Sequence, residues 1–168
     1  MEKDVIIIKG APGSGKSETA KALSKHFEKG IRMEVDTIRS MVISVNWTNQ
    51  QEHINMLQIA SDMTLNFLNF NYKPIIIVDT FSGDKVKSFT EHLYNSKKDI
   101  SISIFALYVN EEELKQRLEL RTNDMYKNYE VCKKLNIDVI KIIQENTILI
   151  DTTGKTAEKT ASEIFNKL

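Results

Sequence analysis

The sequence predicts one α/β domain organised around a parallel β-sheet. Two uninterrupted apolar runs rich in β-branched residues, 5–8 and 75–78, are typical of central parallel strands covered on both faces. Apolar residues recur at helical spacing in the segments between the strands. Strict alternation of strand and helix indicates parallel strands joined by right-handed crossovers. Because the chain has 168 residues, of which 41% are hydrophobic, we expect residues 1–168 to form a single domain with a sizeable core.

The elements follow one another without repeats, linkers or low-complexity tracts. The predicted strands cover 5–8, 31–36, 75–79, 100–109 and 147–150. The predicted helices, with their caps, cover 17–29, 48–70, 82–96, 110–121, 129–145 and a last segment that begins at 156. Gly30 is predicted as the C-terminal cap of the first helix. Capping boxes are predicted at Thr48 with Gln51 and at Asn110 with Glu113, since this spacing satisfies the first backbone N–H groups of a helix.

A glycine-rich stretch separates the first strand from the first helix. It fits the pattern G-x-x-x-x-G-K-[ST] in full, with Gly10, Ala11, Pro12, Gly13, Ser14, Gly15, Lys16 and Ser17. Glycines allow backbone N–H groups to turn toward a phosphate, and the start of a helix adds unpaired N–H groups and a positive dipole end. We expect Lys16 to reach the β- and γ-phosphates and the Ser17 hydroxyl to ligate Mg²⁺. The stretch predicts a nucleotide-binding site.

Two carboxylates stand where predicted strands end. In an open parallel sheet, ligands bind beside the carboxyl ends of the strands. Asp79 ends the 75–79 strand and is expected to face the Mg²⁺-bound phosphates, the alternative being an ordinary turn or N-cap aspartate. Asp36 is followed three residues later by Arg39, so both share one face of a helical turn. Asp36 is a candidate general base and Arg39 a candidate ligand of an anionic acceptor, the alternative being a helix cap and an exposed arginine.

Arg117 and Arg121 lie four residues apart, just before a polar loop that is a candidate lid, about 121–129. This spacing puts both side chains on one helix face. Beside a lid, two guanidinium groups can stack on a base and neutralise phosphate charge. Pairing of Arg117 with Glu113 is the alternative interpretation, because residues four apart on a helix are neighbours.

Other polar positions have weaker signals. The turn after the last predicted strand is a candidate for backbone contact with the adenine edge, a plain turn being the alternative; it consists of Thr152, Thr153, Gly154 and Lys155. His26, His53 and His92 each stand alone on a predicted helix, without a second histidine or a carboxylate at ligand spacing. We therefore expect surface histidines and no zinc site.

Composition narrows the function classes. The formal net charge is +0 and the sequence pI is about 6.8, so the chain lacks an overall positive field that would gather nucleic acid or an anionic membrane. Cys132 is the single cysteine and is expected to pack as a small, half-buried hydrophobic residue. No apolar stretch approaches the roughly 18 residues of a membrane span, and the N-terminus enters a strand at once, leaving no room for a signal peptide. We expect a cytoplasmic protein without membrane contact.

With these motifs in order, the chain resembles the small P-loop kinases of the nucleoside-monophosphate-kinase-like group over its whole length. The D-x-x-R pattern at Asp36 and Arg39 is similar to the branch that phosphorylates hydroxyl groups: polynucleotide 5′-hydroxyl kinases, with gluconate, shikimate and antibiotic kinases as relatives. The resemblance implies a three-layer P-loop NTPase fold, with a five-stranded parallel sheet in order 2-3-1-4-5, helices on both faces and a short lid. It implies ATP as donor, Mg²⁺, Asp36 as base, Arg39 on the acceptor, Arg117 on adenine and Arg121 on phosphates.

The chain departs from this family pattern near the nucleotide and in the lid. Glu18 stands where the family usually has a threonine that helps to hold the α-phosphate. Beyond Arg121 the lid has only Lys127 as a basic residue. The predicted acceptor-binding segment, about 37–72 and including Trp47, has no lysine or arginine after residue 39. This favours a neutral or weakly charged acceptor.

We therefore expect an ATP-dependent kinase that acts on a hydroxyl of a small molecule, a nucleoside or a polynucleotide 5′-end, as a monomer or homodimer. The alternative enzyme is a nucleoside monophosphate kinase, whose phosphate acceptor needs no general base. The alternative class is an ATP-binding regulatory module that hydrolyses ATP slowly.

Overall fold

The computed structural model describes residues 3–123 and 125–168. Met1, Glu2 and Asp124, the last of which belongs to the predicted lid, lie outside the described residues. The strands are β1 (Val5–Gly10), β2 (Ile31–Glu34), β3 (Ile75–Asp79), β4 (Ile102–Tyr108) and β5 (Thr147–Asp151). The helices are α1 (Lys16–Ser24), α2 (Val35–Arg39), α3 (Gln50–Asn69), α4 (Lys85–Ser96), α5 (Glu111–Glu119), α6 (Tyr129–Lys141) and α7 (Ala157–Phe165).

The five strands form one parallel sheet in the order β2-β3-β1-β4-β5. At its centre, Ile7 of β1 lies opposite Ile77 of β3 and Ile104 of β4. Since the strands are parallel, the phosphate loop after β1 and the ends of β2 and β3 meet at one edge of the sheet. The predicted fold class and strand order are confirmed.

Strand β1 divides the core into two layers. Val5 and Ile7 are fully buried in a cluster that includes apolar side chains of α3 and α4. Ile6 and Ile8 are fully buried in a second cluster, with side chains of α1 and α7. Successive side chains of a strand point to opposite faces, so an entirely apolar strand requires cover on both sides. The predicted helical layers on both faces are thus present.

The first helix is shorter than predicted. α1 ends at Ser24, and Phe27 packs against the α1–α7 core layer from the turn that follows. Gly30, predicted to cap this helix, serves another purpose. Its φ is 148°, and a Cβ atom there would lie 2.6 Å from the Pro74 carbonyl oxygen. The glycine is needed because the chain passes close to the segment before β3, so the predicted helix cap at Gly30 was wrong.

The second strand ends two residues earlier than predicted. β2 stops at Glu34, and the next five residues form the short helix α2. Val35 and Ile38 of α2 are both buried in the α3–α4 core layer. Their spacing of three residues suits one face of a helical turn, whereas alternate residues would be buried in a strand. Asp36 therefore lies in the first turn of α2 and does not end a strand.

The predicted capping boxes are only partly present. Helix α3 is capped by Asn49 and not by Thr48, because the Asn49 side chain accepts hydrogen bonds from the N–H groups of Gln51 and Glu52. Asn110 caps α5 as predicted, accepting from the Glu113 N–H at 2.8 Å. The Glu113 carboxylate does not complete the box, since it bonds to other partners at the candidate site.

The later helices begin close to their predicted starts and end early. α5 ends at Glu119 and α6 at Lys141, against predictions of 121 and 145. Thr156 caps α7 as predicted. Cys132 of α6 is fully buried beside Leu114 of α5, and this burial raises the pKa of its thiol. The predicted packing role of Cys132 is confirmed, with full burial instead of half. No helix in the described ranges is both long and apolar enough to cross a lipid bilayer.

Candidate active site

The loop between β1 and α1 has the geometry of a phosphate cradle. Gly13 and Gly15 have φ values of 89° and 88°, which other residues rarely adopt. A Cβ atom on Gly10 would lie 2.5 Å from the Ser14 hydroxyl oxygen, so the loop could not close around a larger residue. The buried Ser14 hydroxyl has no hydrogen-bond partner within the described residues. Because α1 begins at Lys16, the positive end of its helix dipole lies directly after the loop, which favours a bound phosphate.

Lys16 lies among three carboxylates. Burial lowers the pKa of Lys16 below its ordinary 10.5, while the charges of Asp79, Asp36 and Glu34 raise it. The guanidinium of Arg121 also acts on Lys16 and lowers this pKa. Four predicted site residues, Lys16, Asp36, Asp79 and Arg121, are thus close enough to interact electrostatically. Glu34 joins them, although sequence patterns had not indicated it.

Asp36 opens toward solvent, yet the surrounding protein removes part of its hydration. This desolvation raises the pKa of the Asp36 carboxyl above 3.8, and the neighbouring charge of Asp79 raises it further. Lys16 and Arg39 oppose these effects by favouring the ionised form. A carboxylate whose pKa is raised accepts a proton more readily. A raised pKa suits a general base, and that role of Asp36 stays a prediction.

Asp79 is held by hydrogen bonds to both of its oxygens. Its Oδ2 accepts from the Phe81 N–H at 2.7 Å, and its Oδ1 lies 3.0 Å from Nε2 of the buried His53. The other ring nitrogen, Nδ1, lies 2.9 Å from the Lys85 ammonium. An ammonium only donates, so Nδ1 must accept, and the Nε2 proton is then donated to Asp79. This chain of contacts joins the ends of β3, α3 and α4.

The Ser17 hydroxyl donates a hydrogen bond to Glu34 Oε2 at 3.1 Å. The second carboxylate oxygen of Glu34 pairs with Arg32 on the same strand. Within residues 3–123 and 125–168, no group of three or more His, Cys, Asp and Glu side chains forms a complete metal site. A Mg²⁺ ion fits this arrangement, because it usually keeps waters and takes phosphate oxygens beside one or two protein ligands.

Arg39 is buried in the described structure, against the alternative of an exposed arginine. Its Nε donates to Glu52 at 3.1 Å, and its Nη2 donates to the carbonyls of Asn46 at 2.7 Å and Asn49 at 3.0 Å. The guanidinium carbon also lies 5.1 Å from the ring centroid of Trp47. Arg39 thereby ties α2 to the loop before α3. Its contact with an acceptor stays a prediction.

Arg117 lies against the phosphate loop. Its Nη1 is 3.4 Å from the carbonyl oxygens of Gly13 and Ser14, and its Nη2 donates to the Thr152 carbonyl at 2.8 Å. The same Nη2 donates to Glu113 at 2.6 Å, which is the helix pairing offered as the alternative. The two interpretations are compatible, since Glu113 orients a guanidinium that also reaches the loop. Stacking of Arg117 on a base stays a prediction.

The turn after β5 contacts the site through Thr152. The buried Thr152 hydroxyl lies 3.1 Å from the Ser14 carbonyl oxygen, across the sheet edge. The backbone N–H of Gly154 donates to Glu113 at 2.7 Å, and the Thr153 hydroxyl accepts from the Asn110 N–H at 2.9 Å. Contact of Thr153 or Gly154 with a base stays a prediction.

The described part of the lid folds back on Arg121. Arg121 Nη1 donates to the Tyr126 carbonyl at 2.7 Å, and the Lys127 ammonium reaches the Arg121 carbonyl at 3.3 Å. Glu18 is exposed in the first turn of α1, where a negative charge favours the helix dipole. The roles of Arg121 and Glu18 toward a nucleotide stay predictions.

A family model described as the AAA domain matches residues 6–151, which include the phosphate loop, β1 from its second residue, the other four strands and the helices through α6. The chain belongs to this family. This AAA domain is also similar to the adenylate kinase of Helicobacter pylori strain HPAG1, with 28% identity over 129 residues, 69% of this chain and 66% of that enzyme. The chain thus spans slightly less than two thirds of that relative.

Two solved structures share the fold of this AAA domain. The tunicamycin resistance protein of Deinococcus radiodurans has a TM-score of 0.73 and 19% identity, covering 98% of this chain and 95% of that chain. The APS kinase of Mycobacterium tuberculosis, solved with AMPPNP and APS, has a TM-score of 0.68 and 12% identity, covering 98% of this chain and 96% of that chain. The resemblance to the small P-loop kinases is confirmed.

Sequence patterns missed two residues of the site in this AAA domain: His53 and Glu34. His53 was predicted at the surface, but it is buried against Asp79, and that prediction was wrong. Its partners lie 26 and 32 residues away, so helical spacing within α3 gave no signal. The position of Glu34 at a strand end could have indicated it, since ligands bind at that edge.

Replacing His53 with leucine is expected to destabilise the protein by about 1–3 kcal/mol, because the buried Asp79 Oδ1 loses its donor. Leucine is close to histidine in size, so packing changes little. Urea unfolding measures the effect. His92→Leu is the matched control, since His92 is only partly buried and pairs with the exposed Asp62. Equal stability of the two variants would show that the His53–Asp79 contact contributes nothing to the fold.

Proposed function

We propose that this protein is an ATP-dependent kinase that transfers the γ-phosphoryl group to a hydroxyl acceptor. The position of Asp36 carries the proposal, because its carboxylate faces solvent beside Lys16 and has a raised pKa. A hydroxyl is a weak nucleophile at neutral pH and gains from a base that accepts its proton. A phosphate acceptor is already ionised and needs no such base.

The phosphate loop and its neighbours would bind the donor. The backbone of residues 10–17 and the Lys16 ammonium would hold the β- and γ-phosphates. Ser17 and Asp79 would hold Mg²⁺, which neutralises charge on the phosphates when bound. Arg117 would lie against the base, because its guanidinium is already fixed beside the loop.

The transfer step would then use the remaining charged groups. Asp36 would accept the proton of the acceptor hydroxyl as its oxygen forms a bond to the γ-phosphorus and the bond to the ADP oxygen breaks. Arg121 would stabilise the charge on the transferred group, since it acts on Lys16 at the same place. Glu18, Thr153 and Gly154 would lie near the nucleotide, because their positions in the chain follow the phosphate loop and the last strand.

ATP as donor is supported by the comparisons. The M. tuberculosis APS kinase was solved with the nucleotide AMPPNP, and its fold covers 98% of this chain. The similar H. pylori protein is an adenylate kinase. These two activities are those of the similar proteins. What the two proteins share with this chain is the phosphate-binding fold.

A neutral or weakly charged acceptor is favoured by the composition and contacts of the acceptor segment. Residues 40–72 contain no lysine or arginine. Arg39, the cation that precedes them, already binds Glu52 and two carbonyl groups. An acceptor phosphate would thus lack a cation from this segment, whereas a sugar, polyol, nucleoside or polynucleotide 5′-hydroxyl would not need one.

A nucleoside monophosphate kinase is the second candidate function, and the similarity to the H. pylori adenylate kinase favours it. The two candidates differ in the acceptor and therefore in the need for Asp36.

Transfer of labelled phosphate from [γ-³²P]ATP to a panel of acceptors would test the proposal. The panel holds sugars, polyols, nucleosides and 5′-hydroxyl oligonucleotides in one arm and nucleoside monophosphates in the other. We expect label in a compound of the first arm. Label only in the monophosphate arm would establish the second candidate, and slow release of phosphate without any labelled acceptor would indicate a regulatory ATPase.

A further inference from the structure

The contact between Ser17 and Glu34 departs from the expected division of roles among the acids of the site. Asp79 was predicted to serve the metal beside Ser17. In the structure the Ser17 hydroxyl donates to Glu34 Oε2 at 3.1 Å instead. Both oxygens of Asp79 already accept hydrogen bonds, one from His53 and one from the Phe81 N–H. Glu34 therefore occupies the position next to the predicted metal-binding hydroxyl.

A hydroxyl that binds a cation does so through an oxygen lone pair, so its proton must point elsewhere. An acceptor for that proton fixes the rotation of the hydroxyl and makes the oxygen a better ligand. Glu34 supplies such an acceptor. Its carboxylate is half-buried, and its other oxygen is held by Arg32, so the group is oriented before any ligand arrives.

We propose that Glu34 is a positioning residue of the metal and phosphate site. Its carboxylate accepts a hydrogen bond from the Ser17 hydroxyl and so turns the lone pair of that hydroxyl toward a divalent cation. The inference rests on the proposed function, because it needs a nucleotide with a cation at this loop. Glu34 lies two residues before Asp36, so the end of β2 and the start of α2 would serve both the cation and the acceptor hydroxyl.

The proposal predicts that Glu34 has opposite effects on the binding of ATP with a metal ion and on the binding of ATP without one. Without a cation, the Glu34 carboxylate lies near the phosphates and repels them. With a cation, the same carboxylate supports the ligand that holds the metal. Removing it should weaken binding of Mg·ATP and leave binding of metal-free ATP unchanged or slightly tighter. A merely structural role would weaken both forms alike.

Isothermal titration calorimetry measures the affinity for ATP in EDTA and in Mg²⁺. The ratio of the two affinities is the gain due to Mg²⁺, and it is obtained without any need for turnover. We expect Glu34→Ala to reduce the gain in affinity due to Mg²⁺ by about 10-fold, the lower end of effects seen when a partner of a metal ligand is removed. Glu34→Gln keeps an acceptor oxygen and should restore part of the gain. Glu28→Ala, which removes an exposed acid of the turn after α1, is the control and should match the parent.

An unchanged gain in Glu34→Ala, with a native circular dichroism spectrum, would overturn the inference. If Glu34→Ala does not fold, Glu34→Met replaces it, since methionine keeps the length of the side chain but has no oxygen that accepts the Ser17 hydrogen bond, and a gain equal to that of the parent would overturn the inference. A parent protein that binds ATP in neither buffer would overturn the proposed function itself. If the parent and Glu34→Ala show the same metal-dependent gain in ATP affinity, the role of Glu34 is overturned and the proposed function is not.

Discussion

Replacement of Asp36 by asparagine is expected to lower phosphoryl transfer by about 10²–10⁴-fold, the usual contribution of a positioned general base. Asparagine has nearly the same size, and the Asp36 carboxylate faces solvent, so the fold and the affinity for Mg·ATP should hardly change. Turnover and calorimetric affinity are measured on the same purified variant. Transfer within a few-fold of the parent would eliminate the general-base role and favour a phosphate acceptor.

The pH dependence of the parent gives a second measure of Asp36. Desolvation and the charge of Asp79 raise its pKa above 3.8. The base must be ionised to accept a proton, so transfer should fall as the pH decreases through this raised pKa. In Asp36→Asn the residual rate should no longer show this decrease at acidic pH, the acidic limb of the pH–rate profile. A limb of the same shape in both proteins would assign it to another group.

The same shift predicts that Asp36 lowers stability at neutral pH. A carboxyl whose folded pKa is raised favours folding most below its unfolded pKa of about 3.8, and this advantage is lost as the pH rises through the folded pKa. Asp36→Asn should therefore unfold at a higher temperature than the parent at pH 7, and the difference should shrink toward pH 3.5. Lower stability of the variant at pH 7 would contradict this electrostatic account.

Replacement of Lys16 by alanine is expected to lower transfer by about 10²–10³-fold, as when one charge-stabilising donor is removed from an active site. Affinity for Mg·ATP should fall as well, because the ammonium faces the β- and γ-phosphates in the ground state. Alanine is a good helix former, so α1 should still begin at this position. Turnover and calorimetry with Mg·ATP measure both effects.

Lys21→Ala is the matched control for Lys16. Lys21 lies on the same helix, is exposed, and is part of its last turn. It carries the same charge but lies a full helical turn beyond the phosphate loop, so its loss should leave affinity and turnover close to the parent values. Unchanged Mg·ATP affinity in Lys16→Ala would mean that the loop is not the phosphate cradle.

The sequence by itself determined the sheet, the phosphate loop and the chain order of the site. The apolar runs at 5–8 and 75–79 predicted central strands because burial on both faces leaves no place for polar residues. The loop 10–17 was recognisable because only glycines adopt φ values near +90° at its turns. These signals are local, since each depends on neighbours within a few residues.

Helix ends could not be predicted as well, because partners remote in sequence decide them. Gly30 resembles a helix cap, yet the neighbouring Pro74 carbonyl is what requires a glycine there. Thr48 and Asn49 are both good capping residues, and the sequence alone did not rank them. Asp36 followed apolar residues that suit a strand, but burial of Val35 and Ile38 in the core made that segment a helix.

Only the tertiary structure decided how the acids of the site are held. Asp79 was visible as an acid at a strand end, but its donor His53 lies on α3, 26 residues away. Ser17 was visible as a candidate metal ligand, but its partner Glu34 comes from β2, 17 residues away. Hydrogen bonds between separate elements depend on how these elements pack, and no periodicity within one element records that packing. The sequence therefore identified the chemical groups, and the fold determined which of them act together.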